Sequence, residues 1–437
     1  MASTVNGREI ILETLLSITR DGQYSHIALK NVLDTYQYLD KKERAFITRV
    51  VDGTLERMIE LDYIINQFSK VKVNKMKPVI RTIMRSSVYQ LKYMDSVPDS
   101  AVCNEAVKLA TKKGFVNLKG FVNGVLRNIS RGLSDVKYPS KEDNISEYLS
   151  VKYSLPMWIV EQWMADYDVE VIEKMGEEFL KEKPTSIRCN LNRISREELK
   201  TLLEEEGVTV EVAEELPYAL MISGYDFLAK LESFQRGYFS VQDISSMQVA
   251  HWAGPREGDN IIDVCAAPGG KSIHLAELLK GTGHVQARDL TDYKVGLIQD
   301  NIFRSGLTNV EVLQWDATIF HEESKEKADI VIADLPCSGL GVFGKKTDLK
   351  YKITETMQND LVQLQRKMLS VVHEYVKPGG KLLYSTCTIH KAENEKNTAW
   401  FLKNHPEFTL VKEKQMLPGI DGGDGFYIAM LIKENHD

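Results

Sequence analysis

Two cysteine residues in this sequence stand where a thiol could act as a nucleophile. Cys337 lies in the run Asp334-Leu-Pro-Cys-Ser-Gly339, and Cys387 lies in the run Tyr384-Ser-Thr-Cys-Thr388. Each run follows a short apolar segment that is typical of a buried strand. Because open α/β sheets bind ligands at the carboxyl ends of their strands, we expect the two thiols to face one crevice. The pattern predicts a methyl transfer that needs a sulfur nucleophile.

Methylation of carbon-5 of a pyrimidine is a reaction that needs such thiols, because carbon-5 alone is a poor nucleophile. A thiolate adds to carbon-6 and pushes electron density onto carbon-5, which takes a methyl group from a sulfonium; a base then removes the carbon-5 proton and the thiolate leaves. We expect Asp334 to bind the ring N3 and the exocyclic amine. The nucleophile needs a lowered pKa, and Lys271 is a candidate source of positive charge.

The segment Asp263-Val-Cys-Ala-Ala-Pro-Gly-Gly-Lys-Ser272 has the form of a strand, a turn and a helix, the helix being predicted over Ile273–Lys280. Glycine lets a ligand approach the backbone closely, and the start of a helix attracts an anion. We therefore predict that this loop binds a cofactor. The loop between the predicted strand and helix consists of Cys265, Ala266, Ala267, Pro268, Gly269, Gly270 and Lys271.

Acidic residues at the ends of later predicted strands are further candidates for cofactor binding. Asp289 follows Gly269 by twenty residues, the distance at which an acid commonly binds ribose hydroxyls in Rossmann-like folds. Asp316 could accept a hydrogen bond from an adenine amino group; alternatively, it caps a helix.

The residues alone leave other interpretations open. A P-loop ends in Gly-Lys-Ser, as this loop does, but Cys265 stands where a P-loop needs its first glycine. The loop could also be a structural turn that binds no ligand. A cysteine is most often a small buried hydrophobic residue, and we expect this of Cys103 and Cys189 and, in part, of Cys265.

The composition limits the class of protein. A length of 437 residues predicts two or three domains, and 43% hydrophobic with 27% charged residues is ordinary for a soluble protein. The sequence contains no stretch of eighteen apolar residues, so no membrane span is predicted, and the segment Met1–Glu9 does not resemble a signal peptide. Five scattered cysteines, without a Cys-x-x-Cys pair or zinc-ligand spacing, predict thiols in a reducing cytoplasm and no metal.

Charge is distributed unevenly along the chain. Residues 1–140 contain 22 Lys and Arg against 14 Asp and Glu, a net charge of +8, whereas the remainder, with 33 against 48, carries −15. A basic segment on an acidic chain suggests a polyanionic partner, although compositional drift could produce the same offset. The candidate phosphate contacts are Lys70, Lys72, Lys75, Lys77, Arg81 and Arg85, followed by Lys108, Lys112, Lys113, Lys119, Arg127 and Arg131.

Apolar periodicity divides the chain into three predicted domains. Residues 1–135 are expected to be all helical, and a polar, turn-rich linker follows over about 132–150. A small α+β connector is predicted over 150–235. From 236 to 437 strands alternate with helices, which predicts a mainly parallel sheet covered on both faces.

Individual elements can be predicted in the last two domains. In the connector we predict strands at Ser186–Asn192 and Val208–Ala213 and a helix at Arg196–Glu204. The strands predicted for the parallel sheet are Ile261–Val264, His284–Ala287, Val310–Leu313, Asp329–Ala333, Lys381–Tyr384, Phe408–Val411 and Phe426–Ile432.

The motifs around Cys265, Cys337 and Cys387 resemble those of the Sun family of S-adenosylmethionine (SAM)-dependent RNA cytosine-5 methyltransferases. Residues 1–130 resemble the antitermination factor NusB, notably over Ala101–Ala110 and Phe121–Arg127. The resemblance implies a multidomain chain with an all-α NusB-like N-terminal domain, a small α+β connector domain and an α/β Rossmann-like class I methyltransferase domain.

The resemblance also implies roles for individual residues. Cys387 takes the role of the nucleophile and Cys337 assists release of the product. SAM is held by Cys265–Lys271 and by Asp289, Asp316 and Asp334. The implied substrate is one cytosine of 16S ribosomal RNA before subunit assembly, exposed or flipped out of the stack, and we expect a monomer. Arg288 departs from the family pattern, in which a small apolar residue precedes the ribose acid, and should affect cofactor affinity at most.

Two other functions are alternatives. DNA cytosine-5 methyltransferases share the chemistry but attack with the cysteine of the Pro-Cys motif and need a Glu-Asn-Val motif, for which Glu393-Asn394-Glu395 is the nearest match, outside the required order. A non-catalytic RNA-binding or antitermination factor with a relic methyltransferase fold would show decayed motifs, whereas both cysteines, the glycine loop and the acids are intact here.

Overall fold

The computed structural model describes residues 6–435 of the chain. The first five residues of the segment that we compared with a signal peptide, and the last two residues of the predicted third domain, lie outside this range. The chain divides into two compact units: a helical unit, Met1–Lys181 with Phe343–Lys352, and a sheet unit, Glu182–Val342 with Ile353–Asp437. Within residues 6–435 no helix combines the length and apolarity that crossing a bilayer requires.

The prediction that residues 1–135 are all helical is confirmed over residues 6–135, the part of this segment that the structure describes. The helices of the helical unit are α1 (Gly7–Thr19), α2 (Ser25–Thr35), α3 (Lys41–Glu56), α4 (Met58–Phe68), α5 (Pro78–Tyr93), α6 (Asp99–Lys112), α7 (Lys119–Gly132), α8 (Ile145–Tyr153), α9 (Met157–Met164) and α10 (Val169–Phe179). Side-chain caps mark several starts, such as Asp40 before α3 and Asn144 before α8. The predicted linker is shorter than expected, because α8 begins at Ile145.

Residues 150–181, which the sequence analysis assigned to the connector, are helical and belong to the helical unit. They carry little strand periodicity of their own and pack their apolar faces onto other helices. The compact units therefore do not follow the predicted boundary at residue 150, and the three-domain boundaries stay a prediction.

The segment Phe343–Lys352 packs inside the helical unit although it lies far along the chain. Asp348 accepts a hydrogen bond from the hydroxyl of Ser25 at 2.5 Å, and Lys350 donates to the carbonyl oxygen of Glu56 at 2.8 Å. Burial lowers the pKa of Lys350 to about 7. The segment is therefore an integral part of the helical unit.

The connector forms a four-stranded antiparallel sheet at the start of the sheet unit. Its elements are β1 (Thr185–Cys189), α11 (Arg196–Glu205), β2 (Thr209–Val212), β3 (Ala219–Ser223), α12 (Glu232–Gln235) and β4 (Phe239–Val241). The strand order β2-β3-β1-β4 with two helices is the ferredoxin-like arrangement. The sequence analysis predicted β1, α11 and β2 to within a few residues and missed β3 and β4.

The large sheet has seven strands in the order β10-β11-β9-β8-β5-β6-β7. Its strands are β5 (Asn260–Asp263), β6 (His284–Asp289), β7 (Val310–Gln314), β8 (Ala328–Asp334), β9 (Val376–Thr386), β10 (Phe408–Met416) and β11 (Phe426–Lys433). The helices are α13 (Ile244–Ala253), α14 (Gly270–Leu278), α15 (Asp292–Ser305), α16 (Glu355–Val372) and α17 (Glu395–Asn404). All seven predicted strands are confirmed, and β11 alone runs antiparallel to both of its neighbours.

A buried ion pair joins the connector to the helix that follows the predicted cofactor loop. Arg188 of β1, 1% exposed, donates to both carboxylate oxygens of Glu277 on α14 at 3.1 Å. The same guanidinium donates to the carbonyl oxygen of Gly270 at 3.0 Å. The connector therefore holds the first turn of α14 in place.

Replacing Arg188 by methionine tests this brace. Arg188→Met leaves the buried Glu277 carboxylate without its partner, and we expect the free energy of unfolding in urea to fall by about 3–5 kcal/mol. The double variant Arg188→Met, Glu277→Met should recover much of this loss, because no charge stays buried. The control Arg196→Met breaks a pair with the 74% exposed Glu197 and should cost at most about 1 kcal/mol. Equal losses for Arg188→Met and the control would contradict the brace.

Candidate active site

The predicted site residues lie at the carboxyl edge of the large sheet, on both sides of a topological switch point. From β5 the chain continues to β6 and β7 on one side, and β8 and β9 lie on the other side. The loop Val264–Gly269 follows β5, Asp334 ends β8, and Cys387 directly follows β9. Because ligands bind at such a switch point, the topology favours this edge as the functional site.

The two predicted thiols meet there. The sulfur atoms of Cys337 and Cys387 are 3.3 Å apart, within hydrogen-bond distance, and both residues are partly buried. Since Cys337 comes from the loop after β8 and Cys387 from the loop after β9, the pairing of these neighbouring strands brings together two residues that lie fifty positions apart in the sequence.

The electrostatics of the pair distinguish the two thiols. The hydrogen bond with Cys387 and burial hold the pKa of Cys337 well above its usual range. Burial opposes the charge of Lys271, but Asp334, Asp263 and Cys387 outweigh it and raise the pKa of Lys271. Lys271 therefore carries a positive charge that interacts with Cys387.

Asp334 is held between a cation and a hydroxyl. Its Oδ2 lies 2.7 Å from Nζ of Lys271, and its Oδ1 accepts a hydrogen bond from the hydroxyl of Ser385 at 2.7 Å. The Lys271 side chain is 13% exposed and that of Asp334 24%. Each oxygen keeps a second lone pair, so the carboxylate can still accept a hydrogen bond from a ligand.

The loop after β5 is shaped by one glycine in the left-handed region. Gly269 has φ +105° and directly precedes α14, which begins at Gly270. The predicted helix start at Ile273 was therefore wrong by three residues, because a glycine in this conformation reverses the chain within one residue. The backbone N–H of Ala267 donates to Oδ2 of Asp289 at 3.0 Å, which ties the loop to the end of β6.

The remaining predicted cofactor residues differ in their surroundings. Asp289 also pairs with Lys294 at 3.0 Å. Asp316 accepts a hydrogen bond from the backbone N–H of Thr318 at 2.8 Å and so closes a turn; the alternative that it caps an α-helix is wrong, since a turn follows. Burial raises the pKa of Cys265, which favours an inert thiol.

The donors and acceptors at this edge fit a nucleoside joined to an amino acid. Carboxylates that end or follow β6, β7 and β8 can accept hydrogen bonds from ribose hydroxyls and amino groups. The N–H groups at the start of α14 can receive a carboxylate. Asp263 adds a further acceptor: its Oδ2 accepts from the hydroxyl of Ser272 at 2.6 Å, and burial raises its pKa to about 7.

Arg288, the residue that departs from the family pattern, directly precedes Asp289 on β6, and successive strand residues point to opposite faces of a sheet. Arg288 is 1% exposed, donates to Gln286 and Ser324, and lies over the ring of Tyr375 at 5.0 Å. Its guanidinium is therefore buried among polar and aromatic partners.

Sequence reasoning missed a buried network that holds the two cysteine loops together. Glu393, fully buried, accepts hydrogen bonds from the backbone N–H of Ser338 and from the side-chain amide of Gln365, both at 2.9 Å. The hydroxyls of Ser338 and Thr388 are 2.7 Å apart. His390 lies 3.0 Å from Glu393. Glu393 and its neighbour Asn394 are the run that we had compared with a Glu-Asn-Val motif.

A close backbone approach also fixes the loop after Cys337. Gly341 donates to the carbonyl oxygen of Cys387 at 3.1 Å, and Gly425 donates to the carbonyl oxygen of Gly341 at 2.9 Å. A Cβ on Gly341 would lie 1.9 Å from the carbonyl oxygen of Gly425, so no larger residue fits. The second glycine of the Pro-Cys-Ser-Gly-Leu-Gly run is the sequence signal of this contact.

Three segments of the chain match models of known families. Residues 250–432 match the 16S rRNA methyltransferase RsmB/F family, residues 5–131 the NusB family, and residues 155–225 the ferredoxin-like domain of RsmF/B-like methyltransferases. These matches confirm the predicted fold classes: an all-α NusB-like domain, a small α+β connector and a Rossmann-like methyltransferase domain.

Curated proteins match the chain over its length. It is 36% identical to the probable ribosomal RNA small subunit methyltransferase B of Bacillus subtilis (strain 168), over 98% of each chain. It is 29% identical to ribosomal RNA small subunit methyltransferase B of Klebsiella pneumoniae subsp. pneumoniae, over 100% of each chain.

Two solved structures resemble the fold. PH0851 matches with a TM-score of 0.83 and 28% identity over 98% of this chain and 99% of its own. NSun6 from Pyrococcus horikoshii with SFG matches with a TM-score of 0.58 and 23% identity over 63% of this chain and 97% of its own, a likeness of fold alone.

Glu393→Gln tests whether the buried network sets the thiol geometry. The amide nitrogen of glutamine cannot accept from Ser338, and we expect the free energy of unfolding to fall by about 1–3 kcal/mol. Alkylation of Cys337 by iodoacetamide should become faster, because its loop loosens. The exposed Glu434→Gln is the control and should change stability by at most about 0.5 kcal/mol. If Glu393→Gln were as stable as the wild type and its Cys337 were alkylated at the same rate, the network would be dispensable.

Proposed function

Since this chain belongs to the RsmB/F family of 16S rRNA methyltransferases, we propose that it methylates carbon-5 of one cytosine in 16S ribosomal RNA, with Cys387 as the nucleophile. S-adenosylmethionine is its methyl donor. The observation that carries the proposal is the pair of thiols 3.3 Å apart beside the Lys271–Asp334 ion pair. A site for pyrimidine carbon-5 chemistry needs a nucleophile, a proton acceptor and a group that stabilises the ring.

The cofactor is held by residues that end the strands of the large sheet. Asp289 accepts from the ribose hydroxyls, Asp316 from the adenine amino group, and the loop Cys265–Lys271 surrounds the remainder. When bound, S-adenosylmethionine supplies an electrophilic methyl group.

Cys387 attacks carbon-6 because charge on the thiol pair is favoured there. Lys271 acts electrostatically on Cys387, and the protonated Cys337 can donate a hydrogen bond to the thiolate at 3.3 Å. The new carbon–sulfur bond places electron density on carbon-5, which then accepts the methyl group. Asp334, bound to Lys271 and Ser385, accepts from the exocyclic amine and orients the ring.

Cys337 acts in the second half of the reaction. Once Cys387 is bonded to carbon-6 it carries no negative charge, so its hydrogen bond and its repulsion no longer raise the pKa of Cys337, although burial still does. Cys337 then loses its proton to solvent and takes the proton of carbon-5. The electrons of that carbon–hydrogen bond restore the ring double bond, and Cys387 leaves as a thiolate.

The helical unit binds the RNA in this proposal, and some of the candidate basic residues already pair with an acid whereas others, among them Lys119, Arg127 and Arg131, are exposed. Arg85 is bonded to Asp62 at 2.6 Å, and Lys112 and Lys108 pair with nearby glutamates. In contrast, the segment between α4 and α5 carries exposed lysines, and within residues 6–435 they make no ion pair. They are Lys70, Lys72, Lys75 and Lys77. This segment is the proposed phosphate contact.

Several parts of the proposal concern the setting of the reaction. The substrate is RNA before subunit assembly, the target base is flipped out of its stack because a thiolate cannot reach carbon-6 in a stacked helix, and the enzyme is a cytoplasmic monomer. The domain boundaries proposed are 1–135, 150–235 and 236–437. The DNA-type mechanism would require Cys337 as the nucleophile, which its raised pKa disfavours.

Cysteine variants test the assignment of roles. We expect Cys387→Ala to lose methyl transfer from tritium-labelled SAM to unmodified 16S RNA by more than a thousandfold, since no adduct forms. Cys337→Ala should accumulate a covalent protein–RNA adduct, seen as a slow band on a denaturing gel. Cys103→Ala, in the core of the helical unit, is the control and should retain transfer. Loss with Cys337→Ala and retention with Cys387→Ala would favour the DNA-type mechanism, and an inactive wild type would favour a non-catalytic RNA-binding factor.

Lysine variants test the RNA contact. We expect the quadruple variant Lys70→Ala, Lys72→Ala, Lys75→Ala, Lys77→Ala to bind 16S RNA more weakly and to lower the slope of log K against log salt by about 3, since four phosphate contacts are lost. The matched control replaces four other exposed lysines of the same unit, Lys30, Lys41, Lys42 and Lys174. An equal loss in both variants would indicate an effect of net charge alone.

A further inference from the structure

Three side chains that the reaction does not use meet at the opposite edge of the large sheet. His373 shortly precedes β9, and His405 and Glu407 shortly precede β10. Since β9 and β10 both pair antiparallel with β11, they run in the same direction, and these residues lie at the amino ends of the strands. The 11 residues of β9 span about 30 Å between this edge and Cys387.

The spacing of the three groups suits a transition metal. Their possible ligand atoms lie within 4.8 Å of one another. Oε1 of Glu407 is 3.8 Å from Nε2 of His373 and 3.6 Å from Nδ1 of His405. In a tetrahedral zinc site with bonds of about 2.0–2.1 Å, ligand atoms are about 3.3 Å apart. Small side-chain rotations therefore bring the three atoms to zinc spacing and leave one position for water.

The ring of His373 is already oriented as a metal ligand usually is. Nδ1 of His373 lies 3.2 Å from the carbonyl oxygen of Leu369, and a hydrogen bond donated there leaves the lone pair of Nε2 facing Glu407. The centroids of the two histidine rings are 4.0 Å apart, and Phe401 stacks on His405 at 4.5 Å. Packing therefore limits the rotation of both rings.

The three groups are partly exposed to solvent. The side chains of His373, His405 and Glu407 are 13%, 15% and 32% exposed, so an ion can enter from solvent.

We propose that His373, His405 and Glu407 bind a zinc ion, with water as the fourth ligand. The ion joins the end of α16 to the end of α17 and the start of β10, and thereby stabilises the sheet unit. The sequence analysis expected no metal because the two histidines are 32 positions apart and match no zinc spacing. The site is independent of methyl transfer, so its failure would leave the proposed function unchanged.

Zinc titration of chelator-treated, full-length protein tests the site. All variants carry Cys337→Ala and Cys387→Ala, because that thiol pair could itself bind zinc. The protein with these two cysteine substitutions alone is the parent. We expect the parent to bind one zinc ion, measured by competition with a chromophoric chelator, and its Tm to rise when zinc is added. Co²⁺ should give the visible absorption of tetrahedral coordination. Glu407→Gln and His405→Gln should each weaken zinc binding at least tenfold and abolish the rise in Tm.

The matched control is His284→Gln. His284 also faces a glutamate, Glu311, at 3.4 Å, but no third ligand joins them in the described residues, so this variant should bind zinc as the parent does. Circular dichroism verifies that each variant is folded. The proposal would be overturned if Glu407→Gln and His405→Gln both bound zinc as tightly as the parent does, or if the parent bound no zinc. The histidines would then be packing partners of Phe401.

Discussion

Two thiols 3.3 Å apart at a partly buried edge can share only one negative charge, and the proposed chemistry depends on where that charge resides. The pKa of Cys337 is held high by its hydrogen bond with Cys387 and by burial. Lys271 acts on the other sulfur. In the proposed reaction, formation of the bond to carbon-6 removes the negative charge of Cys387, which is one of the causes that keep Cys337 protonated, and so links the two steps.

The distance between the sulfur atoms is maintained by groups that do no chemistry. Glu393 receives hydrogen bonds from the loop after Cys337 and from Gln365 on α16, and the contact between Gly341 and Gly425 leaves no room for a Cβ. On the other side of the switch point, Arg188 braces the first turn of α14 from a separate sheet. The positions of the proposed reacting groups therefore depend on three sets of contacts: those of Glu393, of Gly341 with Gly425, and of Arg188.

Prediction from the sequence succeeded where the signal was local. Seven strands of the large sheet were found because each is a short apolar run bounded by turn residues. The connector strand β3 was missed because its run Ala-Leu-Met-Ile-Ser does not alternate between apolar and polar residues, and β4 was missed because it has only three residues. The start of α14 was misplaced because the left-handed conformation of Gly269, rather than a capping side chain, decides it.

The sequence by itself determined the chemical types present: two cysteines after strands, a glycine loop and acids at strand ends, all of which are properties of neighbouring residues. Only the tertiary structure decided which of them meet. The Lys271–Asp334 ion pair, the support from Glu393 and the approach of His373 to His405 join residues that are 32 to 63 positions apart or that belong to different elements. Such contacts depend on strand order and helix packing, which no local pattern encodes.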